Sequence, residues 1–412
     1  MYDFRGWLGH FHDVLKLRIL LMAFVFIACG NASAQTTGTL LGIVSDQNGA
    51  VVPSATVKAQ NTDTGFTVTV KASAEGSYLI PLLPLGHYSI SVEVSGFKTF
   101  TRSGVLVPVG QDIRVDVKME VGEVSQTVNV VIDAVNIETA NATLGATVDK
   151  ASLNGLPLDG RNAMGLMQTL PGVATSTAPT AVTGARGGPT FSISGSRTNT
   201  GAMMLDGTIF TDALANTGQQ FPSVDALEEF RVLADNYSAE YGRAAGSVVV
   251  AVTKSGTNQF HGSAWEYIRN NAFDTTNHFT PRGQGTPFLR QNQYGGDLGG
   301  PVILPKYNGR NRTFFFVAYE HLQIHQENIQ LSHPLTAAQR TGDFSALLPS
   351  QVITDPATGL PYPGNIVPAS QIDTFAKNTI GLYMPLPNQP DGVTLSLLEP
   401  NPIDGNQVTV KV

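Results

Sequence analysis

Two histidines, His321 and His325, stand four residues apart, the spacing that sets paired imidazoles on one helix face around a zinc ion. The glutamate that completes such a motif would follow the first histidine, and Leu322 is there instead. Both histidines are therefore read as strand or loop residues rather than ligands. Asp206, Asp212, Asp225, Glu228 and Glu229 offer carboxylates, and their neighbours read as loops, so they are taken as solvated turn residues. No P-loop, G-x-S-x-G elbow or EF-hand loop occurs. The residues thus nominate no catalytic group, no metal ligand and no cofactor. The chain is not read as an enzyme.

What must be positioned is instead a surface for partners. The 412 residues leave room for two or three domains. Charged residues make up only 14% against 42% hydrophobic, with Gly, Thr, Ser, Asn and Gln filling the deficit, a mix that suits a β-rich exported protein. A net charge of −7 with no compensating basic face argues against nucleic acid. Arg5, Lys16 and Arg18, the apolar run Ile19–Cys29 and the small residues Ala32-Ser33-Ala34 make residues 1–34 a cleavable signal peptide. Cys29, the only cysteine, would leave with it, so the mature chain has neither disulfide nor thiol chemistry.

From Thr39 to Val121 apolar and polar residues alternate in short runs. Ala55, Val57 and Ala59 mark one run; Tyr88, Ile90, Val92 and Val94 another; Ile113, Val115, Val117 and Met119 a third. Asn48-Gly49, Thr64-Gly65, Glu75-Gly76 and Leu85-Gly86 supply turns. One-faced strands of this kind pack as two sheets, giving a β-sandwich with its own core. Tyr78, Tyr88 and Phe97 are read as core aromatics rather than a sugar platform. Residues 122–134 then carry Thr127, Val128, Asn129, Val130 and Val131, a run of high β propensity with no hairpin mate. Two readings stand: a last sandwich strand or plain linker, or a strand offered to a partner by β-augmentation.

Residues 135–258 read as mixed α/β. Arg161–Leu170 is expected to be a short helix ended by Pro171-Gly172, and Asp225 with Glu228 has the spacing of a capping box. SVVVAVTK, from Ser247, is a nearly uninterrupted β-branched strand. Beyond it, Phe260–Arg269 alternates. Trp265 and Tyr267 share one face, as an interfacial aromatic girdle would require, with Ala264, Glu266 and Ile268 on the other. Asn292–Pro301 and Thr313–His321 are two further strands, and most of Leu322–Pro402 reads as Pro- and Asn-rich loop.

Two resemblances gather these pieces. GIVSDQNGAVVPSATVKAQNTDTG and EGSYLIPLLPLGHYSISVEVSGF resemble the carboxypeptidase regulatory-like domain, a transthyretin-type sandwich that is an accessory and not a catalyst. LPLDGRN, RGGPTFSISGSRTNTGAMMLDG and SVDALEEFRVLADNYSAEYGRAAGSVVVAVTKSGTNQFHGSAWEY resemble the plug of TonB-dependent outer-membrane receptors, closest to the Oar-like subgroup. RQNQYGGDLGGPV and RTFFFVAYE resemble the barrel of that subgroup. The resemblance implies a mainly β protein with a transthyretin-like sandwich, an α+β plug domain and the first strands of an incomplete outer-membrane β-barrel. It makes Thr127–Val131 the favoured TonB contact, and Arg186, Arg197 and Arg243 plug residues that face a ligand or the wall.

The expected domains are the signal (1–34), the sandwich (39–121), a linker with the TonB box (122–134), the plug (135–258) and the start of the barrel (259–412). Expected partners are TonB, outer-membrane lipid around the barrel, and an extracellular ligand, with carbohydrate and siderophore as candidate classes. The expected location is the outer membrane of a Gram-negative bacterium. Membrane strands need roughly 9–11 residues each, so a 22-stranded wall takes well over 200 residues. About 150 residues follow Lys254. The chain is therefore expected to be an N-terminal fragment of a receptor for energised uptake, the alternative being an exported sandwich that binds carbohydrate or protein without transport.

Overall fold

The computed structural model describes residues 37–122, 127–131, 143–155, 158, 161–175, 191–198, 200–212, 219, 221–242, 244–276, 278 and 286–412. The expected signal peptide, Arg186 and Arg243 lie outside them. The chain divides into two compact units. The first holds everything up to His261 with Leu298–Val317 and Thr409–Val412; the second holds Gly262–Asp297 and Ala318–Val408.

Within the first unit, β1 (Thr37–Asp46) pairs with β4 (Ser77–Pro84), β7 (Asp112–Arg114) and β8 (Val117–Met119). The facing sheet has the order β3-β2-β5-β6-β9, from β2 (Thr56–Asn61), β3 (Thr67–Lys71), β5 (Gly86–Glu93), β6 (Thr99–Val107) and β9 (Thr127–Val131). The expected alternation holds. Val57, Ala59, Tyr88, Ile90, Val92, Ile113, Val115, Val117 and Met119 all enter one core. Tyr78 and Tyr88 are buried there, and their hydroxyls donate to Val115 O (2.6 Å) and Pro84 O (2.7 Å). Buried phenols so satisfied are core residues, not a sugar platform. Burial pushes the Tyr88 hydroxyl up to about 12.

The plug follows. Its sheet has the order β10-β15-β16-β13-β14, from β10 (Leu144–Val148), β13 (Ala202–Leu205), β14 (Thr208–Ile209), β15 (Leu227–Asp235) and β16 (Val248–Thr253). A separate pair joins β11 (Val173–Thr175) to β12 (Phe191–Ile193). The helix expected at Arg161–Leu170 is a 3-10 helix, Ala163–Thr169, with the Asn162 side chain accepting from Met164 N. The expected capping box does not form. Ser223 caps a 3-10 turn, Val224–Ala226, and the chain enters β15 at once, because Leu227–Asp235 has partners on both sides in the sheet.

The wall sheet has the order β17-β18-β21-β22, from β17 (His261–Asn270), β18 (Leu289–Pro301), β21 (Phe314–Ser332) and β22 (Leu395–Pro400); β23 (Ile403–Lys411) also pairs with β21. Short β19 (Ile303–Leu304) and β20 (Tyr307–Asn308) form a hairpin. Strand β21 runs eleven residues into the stretch expected to be loop, because buried Leu322 and Ile324 continue its alternation. His321 and His325 therefore lie four strand positions apart, about 13 Å and far beyond the reach of one zinc ion.

The aromatic expectation needs correction. Trp265 donates from Nε1 to Glu320 Oε2 (3.2 Å), and Gln293 Nε2 donates to Glu320 Oε1 (2.9 Å). Gln293 and Glu320 are buried, so Trp265, and Tyr267 two residues on, belong to the buried face of the sheet. The exposed face carries Ile268, Tyr294 and Tyr319. An indole N–H beside a buried carboxylate gains a charge-assisted bond that a lipid-facing ring would forgo.

Backbone proximity in the sandwich supplies a test. A Cβ on Gly42 would lie 2.0 Å from Val115 O and 3.0 Å from the Tyr78 ring. Gly42→Ala is expected to destabilise by about 1–3 kcal/mol in denaturant titration. Gly155→Ala, with open space around it, is the control and is expected to be neutral.

Candidate partner strand and plug core

Strand β16 reads as a run of valines because both its faces are covered, and every residue from Val248 to Thr253 is buried. Val249 and Ala251 point into the plug's own core with Phe230, Val232, Met164 and Leu166. Val248, Val250 and Val252 point the other way, into a second cluster with Leu233 and with Val109 of the sandwich, against which Leu85 also packs. The sandwich thus closes the second face of the plug sheet.

Alternation along β15 decides what else meets the sandwich. Leu233 shares its side of the strand with Arg231 and Glu229, two and four residues earlier. Val109 N–H donates to Glu229 Oε1, while Arg231 Nη1 donates to Val109 O and Gly110 O. Arg231 is 2% exposed and Glu229 8%. Gln111 Nε2 adds a bond to Thr147 Oγ1 on β10 (3.0 Å). The loop can be read so closely because Gly110 has φ +58° and a Cβ there would meet the Tyr241 hydroxyl at 3.0 Å. Burial pushes the Glu229 carboxyl up to about 7, against the opposing pull of the Val109 N–H and the Arg231 charge, with Glu228 and Asp149 adding to the rise. Burial likewise lifts Tyr241 to about 12.

Two further polar joints hold the plug. Arg161 Nη2 donates to Asp225 Oδ2 (2.7 Å), with both side chains nearly buried. Asp206 accepts from Thr253 N (3.0 Å), Thr253 Oγ1 (2.6 Å) and Lys411 Nζ (3.0 Å), and Lys411 also reaches Thr253 O (3.1 Å). Asp225, Glu229 and Asp206 are therefore not solvated turn residues. Their fixed partners lie 64 residues away in sequence for Asp225, 120 for Glu229, and 47 and 205 for Asp206. Separations of this size leave no local signal.

Of the arginines expected to face a ligand, Arg197 alone is described. It is exposed in the turn after β12, where its carbonyl accepts from Thr200 N (3.3 Å) and Oγ1 (2.8 Å). The arginines that the plug draws inside are Arg161 and Arg231, which the sequence reading passed over. Arg231 carried one usable signal, a lone cation within an apolar strand.

The expected partner strand Thr127–Val131 is β9, and it is paired. It runs parallel to β6, with Thr99 opposite Thr127, Phe100 opposite Val128, Thr101 opposite Asn129, Arg102 opposite Val130 and Ser103 opposite Val131. Among the described residues no group of three or more His, Cys, Asp or Glu side chains is placed to hold a metal ion.

Three family models match the chain in succession: the carboxypeptidase regulatory-like domain over residues 39–120, the TonB-dependent receptor plug domain over 141–249 and an outer membrane beta barrel domain over 252–412. The chain has the domain order of a TonB-dependent receptor of the Oar-like kind. The chain is 26% identical over 317 residues to the TonB-dependent transporter Oar of Myxococcus xanthus, covering 75% of this chain and 29% of that one. The chain thus spans under a third of the length of that relative. Solved structures that overlap it include the siderophore receptor PirA of Acinetobacter baumannii (23% identity, TM-score 0.31, 44% of this chain and 24% of the other). The outer membrane transporter YddB of Escherichia coli overlaps similarly (18% identity, TM-score 0.34, 46% and 27%).

Glu229 ties the stability of the protein to pH. Its carboxyl lies above the ordinary 4.5 when folded, so its contribution to stability is fully present below about 4.5 and is lost as pH rises through about 7. Glu229→Gln keeps an acceptor for Val109 N–H and removes the ionisation. The variant is expected to match the parent near pH 4.5 and to exceed it by roughly 1–3 kcal/mol at pH 8, measured by denaturant unfolding across that range.

Proposed function

We propose that the chain forms the sandwich, plug and first wall strands of a receptor that takes up an extracellular ligand across the outer membrane of a Gram-negative bacterium, with energy delivered by TonB. The observation that carries this reading is the unbroken succession of sandwich, plug and wall matches along one chain. The wall sheet supports it physically. One of its faces buries Gln293 and Glu320 together with Phe316, Ala318, Leu322 and Ile324, while the other exposes Ile268, Tyr294 and Tyr319, large side chains of the kind a membrane wall turns to lipid. An exported sandwich that only binds carbohydrate would need neither a plug nor such a wall.

In this reading TonB engages Thr127–Val131, the edge strand β9 of the sandwich sheet, through main-chain bonds. Arg186, Arg197 and Arg243 are proposed to lie on the ligand side of the plug, with Arg197 available at an exposed turn. The test is binding of the purified periplasmic C-terminal domain of TonB to the full chain. Val128→Pro with Val130→Pro removes two main-chain donors and is expected to weaken binding at least tenfold. Unchanged binding by the double variant would place the contact elsewhere.

A further inference from the structure

The sandwich touches more than the plug sheet. The turn between β2 and β3, residues 61–65, reaches the place where the chain leaves the plug for the wall. Asn258 N–H donates to Asp63 O there (2.9 Å). Asn258 Nδ2 donates to Asn311 Oδ1 (2.6 Å), in the turn that leads into β21, and Asn311 N–H returns a bond to Asn258 Oδ1 (2.8 Å). Gly65 has φ +75° and lies against the same residue, so close that a Cβ would collide with the Asn311 side-chain amide. Sandwich turn, plug end and wall turn meet at this one cluster.

A single side chain ties this cluster to the plug joint. Asn61 is 1% exposed; its Oδ1 accepts from Asp63 N and Thr64 N (2.9 Å each), and its Nδ2 donates to Leu85 O (3.3 Å). Leu85 packs on the apolar cluster that Val109 closes. The turn is thereby braced against the part of the sandwich that the plug grips. The two grips differ in kind. At Val109 and Gly110 the bonds are charge-assisted, removed from water and backed by apolar side chains. At the wall the bonds join neutral groups, and Asp63 and Asn311 are exposed, so water replaces either partner at little cost.

We propose that the turn Asp63–Gly65 is a release catch: sandwich and plug sheet form one body, and the turn lifts off Asn258 and Asn311 while Val109 stays gripped. The sandwich then has two positions, seated on the wall turn or clear of it. Its bond to the plug sheet is the same in both. Glycine at position 65 fits this use, because the seat has no room for a side chain and the left-handed turn needs none. Opening the catch requires neither TonB nor a ligand, so this chain alone displays it.

Native-state amide exchange in the full chain reads both grips together. The Asn258 N–H is expected to be about 100-fold less protected than the Val109 N–H, as a local opening requires. Equal protection at the two amides overturns the catch, since both grips would then open together, and this arm needs no substitution. A covalent lock supplies the second arm. A Cβ at position 65 would lie 3.3 Å from the Asn311 Cβ, close to the roughly 3.5–4.5 Å that a disulfide spans. Gly65→Cys with Asn311→Cys, in the chain carrying Cys29→Ser, is expected to cross-link on mild oxidation. The lock is expected to slow Asn258 exchange about tenfold, to leave Val109 unchanged, and to be reversed by reductant. Failure to cross-link overturns the contact. Cross-linked protein whose Asn258 exchanges as fast as after reduction overturns the catch, because the opening would then lie elsewhere.

Discussion

On plug strand β15, a carboxylate and a guanidinium two residues apart take hold of the main chain of another domain. Glu229 accepts from Val109 N–H, and Arg231 donates to Val109 O and Gly110 O. Both are removed from water, which is costly unless every such group finds a partner. The loop Pro108–Gln111 supplies one N–H to Glu229 and two carbonyls to Arg231, and in return its Val109 closes the apolar cluster of Leu233, Val248, Val250 and Val252. Polar and apolar contacts fall on the same side of the plug sheet, so neither domain can leave the other without exposing both.

That constraint gives the sandwich a role beyond an appended module. Strand β6 lies at the centre of it, paired to β5 on one side and to β9 on the other, and it ends in the gripped loop. The raised carboxyl of Glu229 adds a chemical consequence. The joint tolerates a neutral acid better than an anion, because burial outweighs the single N–H and the nearby cation. Elsewhere in the plug, Asp206 with Lys411 and Asp225 with Arg161 repeat the pattern of a carboxylate met by a distant cation.

Much of the architecture was legible in the residues, and the reason is period two. Alternation along Ala55–Ala59, Tyr88–Val92 and Ile113–Met119 named core positions that the structure buries. The valine run at β16 announced a strand, though not that both of its faces are covered. The failures have a common cause. Asp225 and Glu228 looked like a helix start because a capping box is a local pattern, whereas the strand that formed depends on pairing with β10 and β16. Trp265 and Tyr267 were placed on the correct common face but assigned to lipid, since a sequence cannot tell which side of a wall strand meets Glu320. Arg231 and Glu229 were invisible as a pair of clamps because their partner is backbone, which every residue carries.

Native-state hydrogen exchange at Val109 in the full chain measures the joint between sandwich and plug most directly. The Val109 N–H ends on a buried carboxylate inside a closed apolar cluster. Its exchange is expected to be as slow as that of Val232 in the core of β15, and to quicken in Glu229→Ala. Rapid exchange at Val109 alongside a protected Val232 would contradict the account, showing a sandwich that is tethered to the plug and not joined to it.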